Sequence, residues 1–403
     1  MRVLVSALSC NPSLGSEALV GFKYAEILSQ RYETVIITAP PSQAPAGATL
    51  LECETGPCSF NEVSSEPLLR FELRQQQLAR QLRRRFPFEY VHRITPSAIQ
   101  VPSWASHLGK PLIIGPLIAA DRPSPPFAQY LNRPITSPKH PRWHPVRIAG
   151  RACRTIVVRA EREQSYLHKA KRILVGTRTA LRHMPEPLQE KCRLITYSGV
   201  EHDIFVPPST RPDANTVQLL FVGRLIPYKG IELLLQALEI AVRRCRIKLN
   251  IVGGSDPVYK KFLLRLIQEL RLEPSITFVP PVPRDQLPSL YQQADVFCFP
   301  TICDTYGIAL LEAMSCGCAV LVSDVAGAGE LVNGENGLKV SLNTPDQYIR
   351  EYAEKIVALA KNHELRASLG RAARQFILRE HDWDRIGKQV LAVYDELGRE
   401  YHR

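Results

Sequence analysis

Short apolar segments alternate with helical patterns through the second half of this chain. Strands are predicted at Gln218–Val222, Lys248–Val252, Ile276–Val279, Val296–Phe299 and Ala319–Val322. Between them, apolar residues recur at the spacing of amphipathic helices. Strands that alternate with helices in this way predict a doubly wound parallel sheet. This half is therefore predicted to be an open α/β sandwich.

The first half shows the same alternation less regularly. Its predicted strands are Arg2–Ala7, Thr34–Thr38, Tyr90–Ile94, Leu112–Ile114 and Ile173–Gly176. Helical spacing predicts a helix from Glu17 to about Arg31, with Ser16 as its N-cap, and a basic helix over Pro67–Phe86. Segments rich in proline, serine or glycine predict loops at Pro40–Ser65 and Pro123–Pro145, and a helix is predicted at Val146–Lys169.

With 403 residues the chain is too long for one ordinary core, so two domains are expected. The proline-rich stretch PPSTRPDAN, Pro207–Asn215, predicts a linker. We therefore predict a first domain over 1–205, a linker over 206–215, a second domain over 216–377 and a C-terminal helical segment over 378–403. The expected fold class is α/β, with two Rossmann-like parallel-sheet domains facing a cleft.

The net charge of +12 is concentrated in the first half. Residues 1–205 hold 27 Lys and Arg against 16 Asp and Glu, whereas residues 206–403 hold 24 against 23. Two arginine clusters contribute, at Arg70, Arg74, Arg80, Arg83, Arg84 and Arg85 and at Arg147, Arg151, Arg154, Arg159 and Arg162. A solvated basic face, an anionic membrane surface and nucleic acid are the alternative interpretations, although no nucleic-acid recognition motif accompanies the charge.

Several classes of protein find no support in the sequence. No apolar stretch of about 18 residues is present, so no membrane span is expected, and the N-terminus MRVLVSALSC is interpreted as a strand instead of a signal peptide. The ten cysteines show no CxxC pair and no zinc-site spacing, which indicates reduced cytosolic thiols. No acidic pair or His/Cys cluster predicts a metal site.

The run FVGRLIPYKG, residues 221–230, predicts an anion site. A strand ends in a turn that contains Gly223 and Arg224, and Lys229 follows five positions after the arginine. Open α/β sheets bind ligands at the carboxyl ends of their strands. Because a guanidinium can fork onto two oxygens and an ammonium acts as a point charge, we expect these two cations to bind a diphosphate.

A second segment, 299–324, carries two carboxylates eight residues apart. Asp304 lies in the loop after a predicted strand, and Glu312 lies inside a helix that opens near Gly307. The free N–H groups of such a helix start can hold phosphate or sugar oxygens. One carboxylate can take both hydroxyls of a ribose, and the other can take hydroxyls of a hexose. Alternatively, Asp304 caps a helix and Glu312 is solvated.

These motifs together resemble the donor-binding half of the family 4 glycosyltransferases, which have the GT-B fold. The resemblance rests on VGRLIPYKG, on the D-x7-E segment with its Tyr-Gly, and on SDVAG followed by NGENG. It is strong over residues 217–340 and weaker at LGSE (14–17), VHRITP (91–96) and IGPL (114–117). Trp383 and the amphipathic segment after it resemble the family's crossover helix, which returns to the first domain.

The resemblance implies roles for the residues of the second half. Arg224 and Lys229 would bind the donor diphosphate, and Glu312 would hold the ribose. The transferred sugar would contact Asp304 and the amides around Tyr306, Gly307 and Ile308. The family normally has glutamate where Asp304 stands, so this carboxylate is one methylene shorter and the identity of the donor sugar is the feature most affected.

In the first half, Gly15 and Ser16 resemble a loop that lets the backbone approach the donor phosphates and the acceptor, since glycine permits a close approach. His92 matches a family histidine that contacts the donor sugar, and Thr95 is a polar substitute for it. A plain helix start at Glu17 and a structural histidine at position 92 are the alternatives.

The resemblance further implies a hexosyltransferase-type enzyme that retains anomeric configuration and needs no metal or other cofactor. It would move a sugar from a nucleotide diphosphate sugar to a glycan or lipid-linked glycan acceptor, in polysaccharide, lipopolysaccharide or glycolipid assembly. Such acceptors favour an anionic membrane surface over nucleic acid as the partner of the basic half, hence a cytoplasmic, peripheral location. A sugar-nucleotide epimerase and an inactive nucleotide-sugar-binding protein are the rival hypotheses.

Overall fold

The computed structural model describes residues 1–53, 65–99, 101, 103–121, 123–131, 165–210 and 215–401. The chain folds into two compact units. The described residues within 1–119, 165–198 and 383–401 form the first unit, and those within 120–131 and 199–382 form the second. The second predicted arginine cluster, residues 147–162, and part of the predicted linker, residues 211–214, lie outside the described residues.

The first unit contains a seven-stranded sheet in which every neighbouring pair is parallel. Its strands are β1 (Arg2–Ala7), β2 (Glu33–Thr38), β3 (Ala48–Glu52), β4 (Tyr90–Thr95), β5 (Leu112–Leu117), β6 (Ala170–Val175) and β7 (Cys192–Leu194). They lie in the order β3-β2-β1-β4-β5-β6-β7. Its α-helices are Ser16–Ser29, Ser65–Leu82, Ser165–His168, Arg178–Arg182, Glu186–Gln189 and Trp383–Tyr401.

The second unit contains a six-stranded sheet, also parallel at every pair. Its strands are β8 (Val217–Val222), β9 (Ile247–Val252), β10 (Ile276–Val279), β11 (Val296–Phe299), β12 (Ala319–Ser323) and β13 (Leu338–Val340). They lie in the order β10-β9-β8-β11-β12-β13. Its α-helices are Ala128–Leu131, Ile231–Val242, Pro257–Glu269, Leu287–Gln293, Ile308–Ser315, Ala326–Leu331, Pro345–Lys361 and His363–Glu380.

Both sheets reverse strand order once, between β1 and β4 in the first and between β8 and β11 in the second. In a doubly wound sheet the loops at such a reversal diverge to opposite faces, which opens a crevice at the carboxyl ends of the two strands. The predicted fold class of two Rossmann-like parallel-sheet units is therefore confirmed. The reversal also locates where each unit can bind a ligand.

Every strand predicted in the sequence is present, but three further strands escaped prediction. One of them, β3, lies within the segment that was predicted to be a loop from Pro40 to Ser65, and the others are β7 and β13. All three are edge strands of their sheets. Because an edge strand is not buried on all sides, it lacks the continuous apolar run by which central parallel strands are recognised.

The N-cap prediction for the first helix was wrong by one residue. Gly15 is the N-cap, with φ of 66°, and Ser16 is already the first helical residue. Gly15 cannot supply a side-chain cap, so the first N–H groups of this helix receive none.

The helix Ser65–Leu82 buries a polar side chain, Glu72, as well as apolar ones. The Glu72 carboxylate accepts hydrogen bonds from the Trp104 N–H, at 2.8 Å, and from the side-chain amide of Gln75. The side-chain oxygen of Gln75 in turn accepts a hydrogen bond from the Ser6 hydroxyl at 2.6 Å. Burial raises the pKa of Glu72 to about 7, against the opposing effect of its hydrogen bond from Trp104.

We expect Glu72 to make the stability of the protein depend on pH. A carboxyl whose pKa is raised by folding favours the folded state at low pH, and this contribution is lost as the pH rises through about 7. Glu72→Gln should therefore flatten the fall in the free energy of unfolding between pH 5.5 and 8 by about 1–3 kcal/mol. Denaturant titrations at both pH values measure this, with exposed Glu89→Gln as the control. Parallel profiles for wild type and Glu72→Gln would contradict it.

Candidate functional site

The predicted anion-binding turn follows directly from β8. Gly223 donates its N–H to the Val252 carbonyl at 3.0 Å, which ties the start of the turn to the neighbouring strand β9. The turn ends at Gly230, whose φ is 70°. A Cβ atom on Gly230 would lie 1.9 Å from the Pro300 carbonyl oxygen. Only glycine therefore permits this turn to approach the segment that follows β11.

Hydrogen bonds join the same two segments. The Ile302 N–H donates to the Tyr228 carbonyl at 2.8 Å, and the Thr301 hydroxyl donates to the same oxygen at 3.1 Å. Since β8 and β11 are the two strands at the reversal of the second sheet, the turn and the loop meet at its crevice. Thr301 and Tyr228, which are 73 positions apart in the chain, are thereby held side by side.

This contact brings Lys229 and Asp304 together as an ion pair. Both side chains are largely buried, with relative exposures of 14% and 13%. The Lys229 ammonium also lies 5.2 Å from the centroid of the Phe299 ring. The second oxygen of Asp304 accepts from the Thr305 N–H at 2.9 Å, so the carboxylate is fixed by two partners. The lysine is thus held at the strand ends by its counter-charge.

Arg224 is the exposed cation of the same turn. Its guanidinium donates to the Tyr228 hydroxyl at 2.9 Å. Arg224 and Lys229, the two residues predicted to bind a diphosphate, therefore project from one short turn. Tyr228 anchors this turn through both its carbonyl and its hydroxyl. A phosphate-bearing ligand at this end of β8 would meet two positive charges.

The helix Ile308–Ser315 begins beside this cluster in the chain. Its N-cap is Gly307, with φ of 109°, and no side chain caps its first N–H groups. An uncapped helix start of this kind can hold an anion or sugar hydroxyls through its first N–H groups. The Tyr306 side chain is not available to a ligand, because it is buried and its hydroxyl lies 3.2 Å from Nδ1 of His381. Any contact of Tyr306 with a donor would therefore be made by its backbone, as was predicted.

Glu312 lies in the same helix but is buried instead of solvated, with 4% exposure. Its carboxylate accepts from the Tyr291 hydroxyl at 2.9 Å and pairs with Arg284 at 3.2 Å. Arg284 also pairs with Glu201 at 2.8 Å, and its guanidinium carbon lies 4.9 Å from the centroid of the Phe205 ring. We call Glu201, Arg284 and Glu312 the carboxylate–arginine cluster.

Burial raises the pKa of Glu312, and the charge of Arg284 and the Tyr291 hydrogen bond lower it. The cluster thus keeps a carboxylate inside the unit by supplying an opposite charge. Sequence reasoning missed Arg284, Tyr291 and Glu201. No motif spacing marks them, because they come from separate segments that only the fold brings to Glu312.

In the first unit, Glu17 joins the two segments at the reversal of the sheet. Its carboxylate accepts from the Ser97 N–H at 2.8 Å, just beyond β4. Thr95, the last residue of β4, accepts from the Ser9 N–H at 3.2 Å. Gly15 is partly exposed and Ser16 is exposed at the same helix start. The predicted loop therefore lies at the carboxyl ends of β1 and β4, where doubly wound folds bind ligands.

His92 lies inside β4 and is fully buried, so it does not follow a strand as a site residue of this kind would. Its Nε2 lies 2.9 Å from the Gly115 carbonyl, and its Nδ1 lies 2.9 Å from the Tyr394 hydroxyl. A carbonyl only accepts, so Nε2 carries the proton and Nδ1 accepts from Tyr394. Burial lowers the pKa of His92 to about 4, which keeps the ring neutral. This geometry favours the structural alternative, while a contact of His92 with a sugar stays an untested prediction.

In the part of the chain that the structure describes, no group of three or more His, Cys, Asp or Glu side chains could hold a metal ion. The eight cysteines within it are all unbridged. Of the helices described, none is apolar over a length sufficient to cross a bilayer.

Comparison with known proteins finds a family match over part of the chain. Residues 205–376 match the family described as "Glycosyl transferases group 1". An uncharacterized glycosyltransferase of Methanocaldococcus jannaschii is 33% identical over 177 residues, which are 44% of this chain and 44% of that protein. The match thus spans less than half the length of this relative.

Solved structures share the fold over nearly the whole chain. Sucrose-phosphate synthase from Thermosynechococcus elongatus has a TM-score of 0.72 at 18% identity, covering 99% of both chains. Anabaena HepE, solved in complex with UDP, has a TM-score of 0.67 at 17% identity, covering 98% of this chain and 100% of its own. At these identities the likeness shows a shared fold and says nothing further about activity.

Proposed function

We propose that this chain, whose residues 205–376 match the group 1 glycosyltransferases, transfers a sugar from a nucleotide diphosphate sugar to an acceptor hydroxyl with retention of configuration. The observation that carries the proposal is the meeting of Arg224 and Lys229 with the loop of Asp304 at the carboxyl ends of β8 and β11. Fixed cations at this position match the charge of a departing diphosphate.

The proposed mechanism rests on electrostatics. Cleavage of the bond between the sugar and the diphosphate leaves negative charge on the leaving oxygen, and preorganised cations stabilise that charge in the transition state. Arg224 would fork onto two phosphate oxygens, and Lys229 would act as a point charge. The first N–H groups of the helix Ile308–Ser315 would add partial positive charge. These groups would neutralise the diphosphate without a metal ion.

No nucleophilic side chain is needed in this scheme. The acceptor hydroxyl attacks the anomeric carbon on the face from which the diphosphate leaves, and a phosphate oxygen takes the hydroxyl proton. The products are then the glycosylated acceptor and a nucleoside diphosphate. We propose that Glu312 holds the ribose. In the first unit, Gly15 and Ser16 would approach the donor phosphates and the acceptor, and His92 would contact the donor sugar.

The proposal is tested first by donor binding and then by product analysis. UDP-, GDP- and ADP-sugars are screened by thermal shift, because a ligand that binds the folded state raises its apparent stability. UDP-glucose is the first candidate, since HepE was solved with it. Slow hydrolysis of the bound donor supports a transferase. A nucleotide-sugar isomer as the product would identify an epimerase, and binding without turnover would identify an inactive binder.

Asp304 is expected to tune the choice of donor. Its pairing with Lys229 means that an incoming diphosphate competes with Asp304 for the lysine. Asp304→Glu adds one methylene, which extends the carboxylate toward the transferred sugar. We expect a changed ratio of kcat/KM between donor sugars, with activity retained. Competition assays with two sugars on one nucleotide measure the ratio, and exposed Asp346→Glu is the control. Identical donor profiles for Asp304→Glu and wild type would contradict a sugar contact at this position.

We further propose peripheral association of the basic first half with an anionic membrane, at the cytoplasmic face, where a glycan or lipid-linked glycan would be glycosylated. Each Lys or Arg near such a surface contributes about 1 kcal/mol, screened within a Debye length. We expect the protein to co-sediment with anionic vesicles at low salt and to be released at high salt. Sedimentation that is absent at low salt, or indifferent to salt and lipid charge, would contradict this prediction.

A further inference from the structure

A pocket of about 730 Å³ opens on the outer face of the helix Ser65–Leu82 in the first unit. The helix lines it with Arg70, Leu73, Arg74, Gln77 and Arg80 among others. These five side chains are all exposed, and their spacing of three, four, seven and ten positions places them on one helical face. Glu72 of the same helix is buried and does not line the pocket, whereas Gln76, which is also buried, contributes to its lining.

Trp104 and His107 line the pocket from a second segment, the turn at Ala105–Leu108 and the residue before it. The backbone of Trp104 is fixed to the helix by two side chains. Its N–H donates to Glu72 at 2.8 Å, and its carbonyl accepts from Gln76 at 2.6 Å. These bonds fix the Trp104 backbone beside the helix, and Trp104 lines the pocket together with the arginines.

The residues that line the pocket suit a molecule that has an anionic group and an apolar group. Among the lining residues that the structure describes there is no carboxylate. Arg74 donates to the Gln77 carboxamide at 2.9 Å, a partner that carries no charge. Three guanidinium groups on one helical face present positive charge to a bound anion. Guanidinium forks match phosphate oxygens, while Leu73 and Trp104 offer apolar contact.

We propose that this pocket binds a phosphate ester, with the phosphate on the three arginines and the organic part against Trp104 and Leu73. None of the proposed donor residues lines the pocket, so the site is additional to the donor site. The ester has two sources, the headgroup of an anionic phospholipid or a small soluble phosphorylated molecule. The proposal does not depend on which nucleotide sugar the second unit takes.

The test compares two variants that lose the same charge. One is R70Q/R74Q/R80Q in the pocket, and the other is K260Q/K261Q/R265Q, three exposed residues on the helix Pro257–Glu269 of the second unit. The probes are glycerol 3-phosphate, followed by calorimetry, and vesicles of phosphatidylcholine with or without phosphatidylglycerol, followed by sedimentation. Thermal unfolding verifies that each variant is folded. W104L, which keeps every charge, tests the apolar wall.

We expect the pocket variant to lose at least about tenfold in affinity, equivalent to about 1.4 kcal/mol, because it loses charge-assisted hydrogen bonds to the phosphate. The second-unit variant should stay within about twofold and W104L should weaken binding measurably. Binding of glycerol 3-phosphate identifies a soluble ester, and binding of anionic vesicles alone identifies a lipid headgroup. Equal losses in both charge variants, or no binding of either probe by the wild type, would overturn the proposal.

Discussion

Lys229→Ala is expected to reduce the rate of sugar transfer by about 10²–10³-fold, equivalent to about 2.7–4 kcal/mol of lost transition-state stabilisation. The lysine is held at the carboxyl end of the second sheet by Asp304 and lies over the Phe299 ring. Its charge would be available where the diphosphate develops negative charge. Because the loss acts on the transition state, kcat should fall more than the KM for the donor rises.

The same substitution also leaves Asp304 without its counter-charge, so a control must separate the two effects. In K229A/D304N no unpaired carboxylate remains, and the double variant should stay as slow as K229A if the lysine acts on the donor. Arg224→Ala should show a comparable loss, whereas Lys260→Ala, an exposed lysine of the same unit, should not. Near-normal turnover in folded K229A would refute the diphosphate assignment. Steady-state assays, with circular dichroism to verify the fold, measure these outcomes.

Arg284→Met is expected to lower the free energy of unfolding by about 3–5 kcal/mol at pH 8, the cost of breaking a buried ion pair by removing one partner. Without Arg284, the carboxylates of Glu201 and Glu312 remain in the second unit and lose the guanidinium with which both of them pair. Methionine fills a similar volume, so the loss reports charge more than packing.

The pH dependence of this loss follows from Glu312. Burial raises its pKa and Arg284 lowers it, so the variant has a still higher pKa for this carboxyl. A carboxyl with a raised pKa in the folded state destabilises that state as the pH rises through the raised value. The deficit of Arg284→Met should therefore shrink as the pH falls and Glu312 takes up a proton.

Urea unfolding at pH 5.5 and 8 measures both quantities. Arg243→Met is the matched control, since Arg243 pairs with Glu239 at the surface with 73% of its side chain exposed. An exposed pair of this kind contributes about 0–1 kcal/mol. A loss in Arg284→Met no larger than that of the control, or one that grows toward low pH, would count against the role assigned to the carboxylate–arginine cluster.

The sequence alone determined the class of the fold and the anion-binding turn. Central parallel strands are buried on both faces, so their apolar runs are visible without any structure, and every such strand was predicted. The turn of Gly223, Arg224 and Lys229 is local, because its cations lie within seven residues of a strand end. Motifs whose residues are close in the chain, and the apolar runs of central strands, can be recognised from the sequence alone.

Tertiary structure decided which side chains meet. Lys229 pairs with Asp304 only because β8 and β11 are neighbours at the reversal of the sheet, although many residues separate them in the chain. The alternative that Glu312 is solvated was wrong, because the fold buries it against Arg284 and Tyr291, which are distant in the sequence. His92 has the sequence context of a site residue, but both of its ring nitrogens are bonded in the core. Burial and long-range pairing depend on how the chain folds back on itself, and residue order does not encode them in any one motif.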